Sequence, residues 1–137
     1  MQRLILDTNV IVSALIQKSF PYLILDYCLD GKAKVCLSST ILNEYVGVLQ
    51  RPKFHRFADF VMAAETILAR LNLEAEIFEP TIRLNVIMDE ADNRFLELAQ
   101  ESKADFLITG NTNDFDFDVF GTTRIVSPKE YWENCRS

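Results

Sequence analysis

The chain has 137 residues, 49% of them apolar, and 20 acids against 14 Lys and Arg give a formal net charge of -6. That length suits one domain over residues 1–137 with a core of its own, and the acidic balance argues weakly against nonspecific binding of nucleic acid. No run approaches the ~20 apolar residues of a membrane span. The opening "MQRLILDTNV" lacks the long apolar stretch of a secretory signal, and Cys28, Cys36 and Cys135 are too few and too scattered for a disulfide framework or a zinc site, so free thiols in a reducing, cytoplasmic compartment are expected.

The first apolar run, "RLILD" (3–7), reads as a strand, and "TNVIVSALI" follows as a helix. "PYLILDYCLDG" is a second helix that stops at its glycine. A second strand, "AKVCL" (33–37), leads into "SSTILNEYVGVLQ", a helix with hydroxyl caps that ends before Pro52. "FVMAAETILARLNL" is helical and apolar along one stripe, suited to a core or to a dimer face. The third strand is "AEIFE" (75–79). "EADNRFLELAQESK" is a helix before the fourth strand, "ADFLIT" (104–109), and "TRIV" (123–126) is a fifth. The last helix opens "SPKE", with Ser127 as N-cap, Pro128 in the first turn and Glu130 closing a capping box. Strands alternating with helices predict an α/β fold with a central, mainly parallel sheet of four to five strands and helices on both faces. "LIL" and "FLI" lack polar alternation, as strands buried on both faces should.

Ligands of open parallel sheets bind beyond the carboxyl ends of the strands. Asp7, Thr8 and Asn9 stand at the end of the first strand, and Thr109, Gly110 and Asn111 at the end of the fourth. Asp7 reads equally as a helix N-cap or as a ligand. Glu44 lies at the edge of the apolar arc of Ile41, Leu42, Tyr45, Val48 and Leu49, where a charge needs either a partner, a wet cleft or a route to solvent. Asp92 falls inside the stripe marked by Ala91, Phe95, Leu98 and Ala99, whereas Glu90 and Asn93 are expected to face solvent. One turn from the helix start, the macrodipole favours an anion at Asp92. Carboxylates converging from three segments would repel one another unless a hard cation lies between them. Mg2+ held by one or two carboxylates leaves positions for a phosphate, and metal-assisted phosphodiester hydrolysis is the chemistry that follows. "ITGNTNDFDF" (108–117) then becomes the loop beside that cleft, with Asp114 placed to supply further charge if the loop folds back.

"LILDTNVIVSAL", "SSTILNEYVGVLQRPKF" and "DEADNRFLELAQESKADFLITGN", in this order and spacing, resemble the motifs of the PIN domain family over essentially the whole chain. The Arg-Pro-Lys-Phe segment is most similar to the subgroup of toxin components of toxin–antitoxin pairs (VapC-like). The resemblance implies a three-layer α/β/α fold and a ribonuclease dependent on Mg2+ or Mn2+, with Asp7, Glu44 and Asp92 as catalytic acids and metal ligands. Thr8, Asn9, Ser13 and Thr109 match the polar residues around them. It also implies a small antitoxin partner, an RNA substrate and a homodimer. Many PIN domains place an Asp after the Thr-Gly pair; here Asn111 stands there, leaving Asn111 or Asp114 to complete the metal site.

Arg51, Lys53, His55 and Arg56 form a basic cluster interleaved with Phe54 and Phe57. It reads as an RNA phosphate contact through Arg51 and Lys53, or as a surface turn whose Phe side chains enter the core. "DFDFD" (114–118) opens like a calcium loop, but Val119 and Ile125 stand where that loop needs Gly and Glu. Two other functions compete. A non-cleaving PIN domain that binds RNA or protein is consistent with Asn111. A phosphatase with an aspartyl nucleophile at strand one would need Asp rather than Asn9 two residues on, and a Lys after strand four.

Overall fold

The computed structural model describes residues 1–137. Its strands are β1 (Arg3–Leu6), β2 (Lys34–Leu37), β3 (Glu76–Ile77), β4 (Phe106–Ile108), β5 (Val119–Phe120) and β6 (Thr123–Val126). Its helices are α1 (Thr8–Ile16), α2 (Phe20–Leu29), α3 (Ser39–Leu49), α4 (Phe60–Glu74), α5 (Glu90–Ser102) and α6 (Pro128–Glu130), the last widening into a π-turn over Tyr131–Cys135. One sheet has the order β3-β2-β1-β4-β6-β5 and is parallel throughout except for the β5–β6 pair. The sheet is therefore α/β and mainly parallel, with helices flanking it, as the alternation of patterns required.

The uninterrupted apolar runs occupy the middle of the sheet. Leu4, Ile5 and Leu6 of β1 and Leu107 and Ile108 of β4 have no exposed surface. They pair in register, Leu4 with Phe106, Ile5 with Leu107 and Leu6 with Ile108. Both faces are covered: α5 packs across β1 and β2, and α1 packs on α2, α3 and α4. From β1 the chain builds outward through β2 to β3, then returns to lay β4 on the other side of β1. The topological switch point therefore lies between β1 and β4, and the residues leaving these two strands face a common crevice.

Several expected boundaries shift. The sheet has six strands rather than four to five. β5 was not expected; it exists because Gly121, at φ 61°, turns a hairpin back from β6. β3 shrinks to Glu76–Ile77 at the sheet edge. Ser127 does cap α6, accepting from the Glu130 amide at 3.1 Å, but the Glu130 carboxylate accepts from Asn134 Nδ2 instead of closing the capping box. The segment after α3 forms a 3-10 turn at Pro52–Phe54, and α4 begins only at Phe60. No single helix is long and apolar enough to cross a membrane.

Candidate metal centre at the strand ends

Asp7 leaves β1 with its amide bonded to the Ile108 carbonyl of β4 at 2.9 Å. It stands at the N-cap position of α1, yet its side chain makes no capping bond. Instead one carboxylate oxygen accepts from the Thr109 hydroxyl at 2.7 Å. The first turn of α1 thus leaves this carboxylate to the crevice, although it is only 8% exposed. Burial raises its pKa above the ordinary carboxylate range, opposed by the Thr109 hydroxyl and the Thr8 amide and reinforced by Glu44.

Glu44 projects from the middle of α3, half-buried at the margin of the apolar arc. Its Oε2 accepts from the Thr8 hydroxyl at 2.8 Å. The adjacent Tyr45 is fully buried and donates its hydroxyl to the Leu6 carbonyl, the last of β1. Two side chains in succession therefore fasten α3 to the β1–α1 junction and set Glu44 beside Asp7.

Asp92 lies in the first turn of α5. Its amide donates to Asp89, the N-cap, at 3.0 Å. Its carboxyl is half-buried and its pKa is pushed up to about 7, first by burial, then by Asp89, Asp7, Asp114 and Glu44. Every charged neighbour that moves it is an acid, and none of these five acids forms a salt bridge. Asp114 belongs to this group because the loop after β4 folds back: its amide bonds to the Asn111 carbonyl at 3.0 Å, closing a 3-10 turn. The Asn111 amide in turn donates to Thr109 Oγ1 at 3.0 Å, so that one hydroxyl ties the loop to Asp7.

No three His, Cys, Asp or Glu side chains surround a common point closely enough to form a ready-made metal cage. The chemistry of the donor set nevertheless fits a hard divalent cation: oxygen donors only, mutually repelling and lacking a protein counter-charge. The structure thus gathers Asp7, Glu44, Asp92 and Asp114 around one crevice, with Thr8 and Thr109 buried as hydrogen-bond donors to the acids. Asn111 and Asn9 are exposed and Ser13 is half-buried; none of their side chains bonds to the acids. Arg51, Lys53, His55 and Arg56 are exposed and without salt bridges, while Phe54 is buried and stacks on Phe60 at 4.9 Å between centroids.

Two neighbours were not anticipated. Asp89, which caps α5 and adds to the charge, carried a signal in its spacing three residues before Asp92. Asn93 was expected at the surface and is 1% exposed, whereas Ala91, expected inward, is exposed. The reason is that residues 84–87 lie against that flank of α5 and bond to it through backbone amides and carbonyls, which polar side chains satisfy.

Three comparisons bear on this arrangement. A chain of the crystal structure of VapBC2 from Rickettsia felis bound to a DNA fragment from their promoter superposes with a TM-score of 0.61 at 18% identity, covering 92% of this chain and 98% of that one. The Uncharacterized protein MJ1680 of Methanocaldococcus jannaschii is 34% identical over 110 residues, 80% of this chain and 70% of its own length. The sequence model of the PIN domain matches residues 3–113, which contain every acid named above except Asp114, and the chain belongs to the PIN domain family.

Proposed function

We propose that the chain is an endoribonuclease dependent on Mg2+ or Mn2+ and the toxin of a toxin–antitoxin pair. The observation that carries this reading is the crevice of unpaired acids at the β1–β4 switch point, in which Asp92 is driven to a pKa of about 7 by burial and by negative neighbours. Asp7, Glu44 and Asp92 would hold the cation, with Asp114 or the Asn111 amide oxygen as a further ligand. A bound divalent cation would polarise a phosphoryl oxygen and lower the pKa of the attacking water. The chain's own part is positional. Thr109 donates its hydroxyl to Asp7, which partly offsets the burial that raises the pKa of that carboxyl, and Thr8 donates its hydroxyl to Glu44, so both carboxylates are held in place. Arg51 and Lys53, exposed and free of acidic partners, would hold RNA phosphates flanking the scissile bond.

An antitoxin would cover the acids with a basic side chain. An open apolar groove of about 520 Å³ between α1, α2 and α4, lined by Ala14, Leu15, Tyr22, Met62 and Ile67 among others, supports an apolar segment in the same partner. A homodimer, and residence in the cytoplasm, belong to the same reading. The second reading, a PIN domain that binds RNA or protein without cutting, is supported by Asn111, which brings no charge to a position where many relatives of the family carry an acid. Cleavage of single-stranded RNA in Mn2+, in Mg2+ and in EDTA decides between them. Cleavage in either metal that EDTA and Asp7→Asn both abolish supports the nuclease; equal behaviour of wild type and Asp7→Asn in Mn2+ sinks it.

A further inference from the structure

Residues 80–88, "PTIRLNVIM", have no regular secondary structure, yet they lead directly into Asp89 and the acid-bearing first turn of α5. What holds them is one face of α5. Glu97 accepts from the Leu84 amide at 2.7 Å, and Arg94 donates to the Leu84 carbonyl at 2.7 Å. Asn93 does the rest. Its Oδ1 accepts from the amides of Val86 at 3.0 Å and Ile87 at 3.1 Å. Its Nδ2 donates to the carbonyls of Ile87 at 2.9 Å and Asp89 at 3.2 Å. Both donors and both lone pairs of the amide are used, in a side chain with 1% of its surface exposed. On its outer side the segment exposes Thr81, Ile82, Arg83, Asn85, Val86 and Met88, and the one salt bridge it makes, Arg83 to Glu97 at 3.9 Å, also runs to α5.

We propose that Asn93 is a positioning residue for the acid centre: by latching residues 86–89 to α5 it holds Asp89 as the cap that fixes Asp92, and so presets the crevice's affinity for a divalent cation. The inference rests on the proposed metal-dependent reading. No other side chain of its size supplies two donors and two acceptors in one plane without adding charge. Asp at 93 would lose both donated bonds and bring another negative charge beside Asp92. Ala would leave two amides and two carbonyls to find water, which costs order in the segment before it costs the fold.

The test is Mn2+ binding by calorimetry and by electron paramagnetic resonance on the purified full chain, with wild type, Asp7→Asn, Asn93→Ala, Asn93→Ser and Thr123→Val. Thr123 is a buried residue whose hydroxyl donates to the Ala104 carbonyl at 2.6 Å, before the start of β4 and away from the acids, so its loss destabilises without touching the crevice. Asn93→Ala should bind Mn2+ about tenfold or more weakly, as loss of a partner behind metal ligands commonly does, with Asn93→Ser intermediate and Thr123→Val within about twofold of wild type. Amide exchange at Val86 and Ile87 should rise in both Asn93 variants. Wild-type affinity in a folded Asn93→Ala, or an equal loss in Thr123→Val, overturns the inference while leaving the metal reading intact. Failure of both Asn93 variants to fold makes the residue one of stability alone and also overturns it. A wild type that binds Mn2+ no better than Asp7→Asn removes the metal reading itself, and the inference with it.

Discussion

Asp92→Asn should stabilise the metal-free protein at neutral and alkaline pH. The Asp92 carboxyl makes no side-chain hydrogen bond and no salt bridge, so the amide loses no partner. Its pKa is pushed from 3.8 to about 7. Three pH units correspond to about 4 kcal/mol if the whole displacement opposed folding. The group is half-exposed and screened by solvent, and the N-terminal dipole of α5 returns about 0.5 kcal/mol to the anion, which leaves about 1–2 kcal/mol. The sign follows from proton binding. A raised folded pKa means that the native state holds the proton more tightly than the unfolded chain. The penalty is therefore absent below about pH 4, grows as pH rises towards 7 and is constant above it. For a chain of this size the Asn variant should melt about 3–7 °C higher than wild type at pH 8. Thermal unfolding followed by circular dichroism in EDTA, at pH 4 and pH 8, measures both limits. A variant that gains nothing at pH 8, or gains as much at pH 4, refutes the argument that repulsion and burial of charge govern this crevice. Saturating Mn2+ should reverse the order, because the wild type alone then gains binding energy in its folded state.

Two further outcomes follow from the same geometry. Asp114→Asn should weaken Mn2+ affinity more than Asp116→Asn or Asp118→Asn, since only Asp114 is turned back far enough to act on Asp92; equal, negligible effects in a parallel titration would remove it from the site. Thr109→Val removes the fully buried hydroxyl that donates to Asp7 and should lower stability by about 2 kcal/mol in urea denaturation. That hydroxyl favours the ionised carboxyl, so the loss should be full above the Asp7 pKa and shrink as the pH falls through it; a loss of the same size at pH 4 and pH 8 would show that packing, not the bond to the carboxylate, was removed.

The strands at the centre of the sheet were legible because their burial on both faces leaves a mark that needs no tertiary knowledge: Leu4–Leu6 and Phe106–Ile108 are unbroken apolar runs. β5 was not legible, because a two-residue strand at a sheet edge is created by its partner and by a left-handed Gly121, not by its own pattern. The acids divide the same way. Asp7 stands where a buried strand meets a helix, and Asp92 where a charge interrupts an apolar stripe, so each announced itself locally. Asn93 did not. A helical wheel infers the inward side from apolar residues, and this inferred side fails wherever a helix is covered by extended backbone, whose amides and carbonyls demand polar partners. Arg94 and Glu97 complete that polar flank beside Asn93.

The distribution of charge also changes what the acidic balance means. The chain carries a formal net charge of -6, and the crevice alone gathers Asp7, Glu44, Asp89, Asp92 and Asp114. Outside it, acids and bases nearly cancel, and Arg51, Lys53 and Arg56 stand exposed without acidic partners just beyond the end of α3, the helix that carries Glu44. The surplus is therefore local, and it opposes nonspecific contact with nucleic acid only at the crevice itself. There Thr109 holds the Asp7 carboxylate and Thr8 holds that of Glu44, while Tyr45 fixes α3 to the end of β1, so these two acids do not relax the repulsion by swinging into solvent. On the metal-dependent reading proposed above, a divalent cation would offset the repulsion that this confined charge imposes on the fold. That is why the sign of the Asp92→Asn effect, and its reversal by Mn2+, tests the purpose of the site as well as its electrostatics.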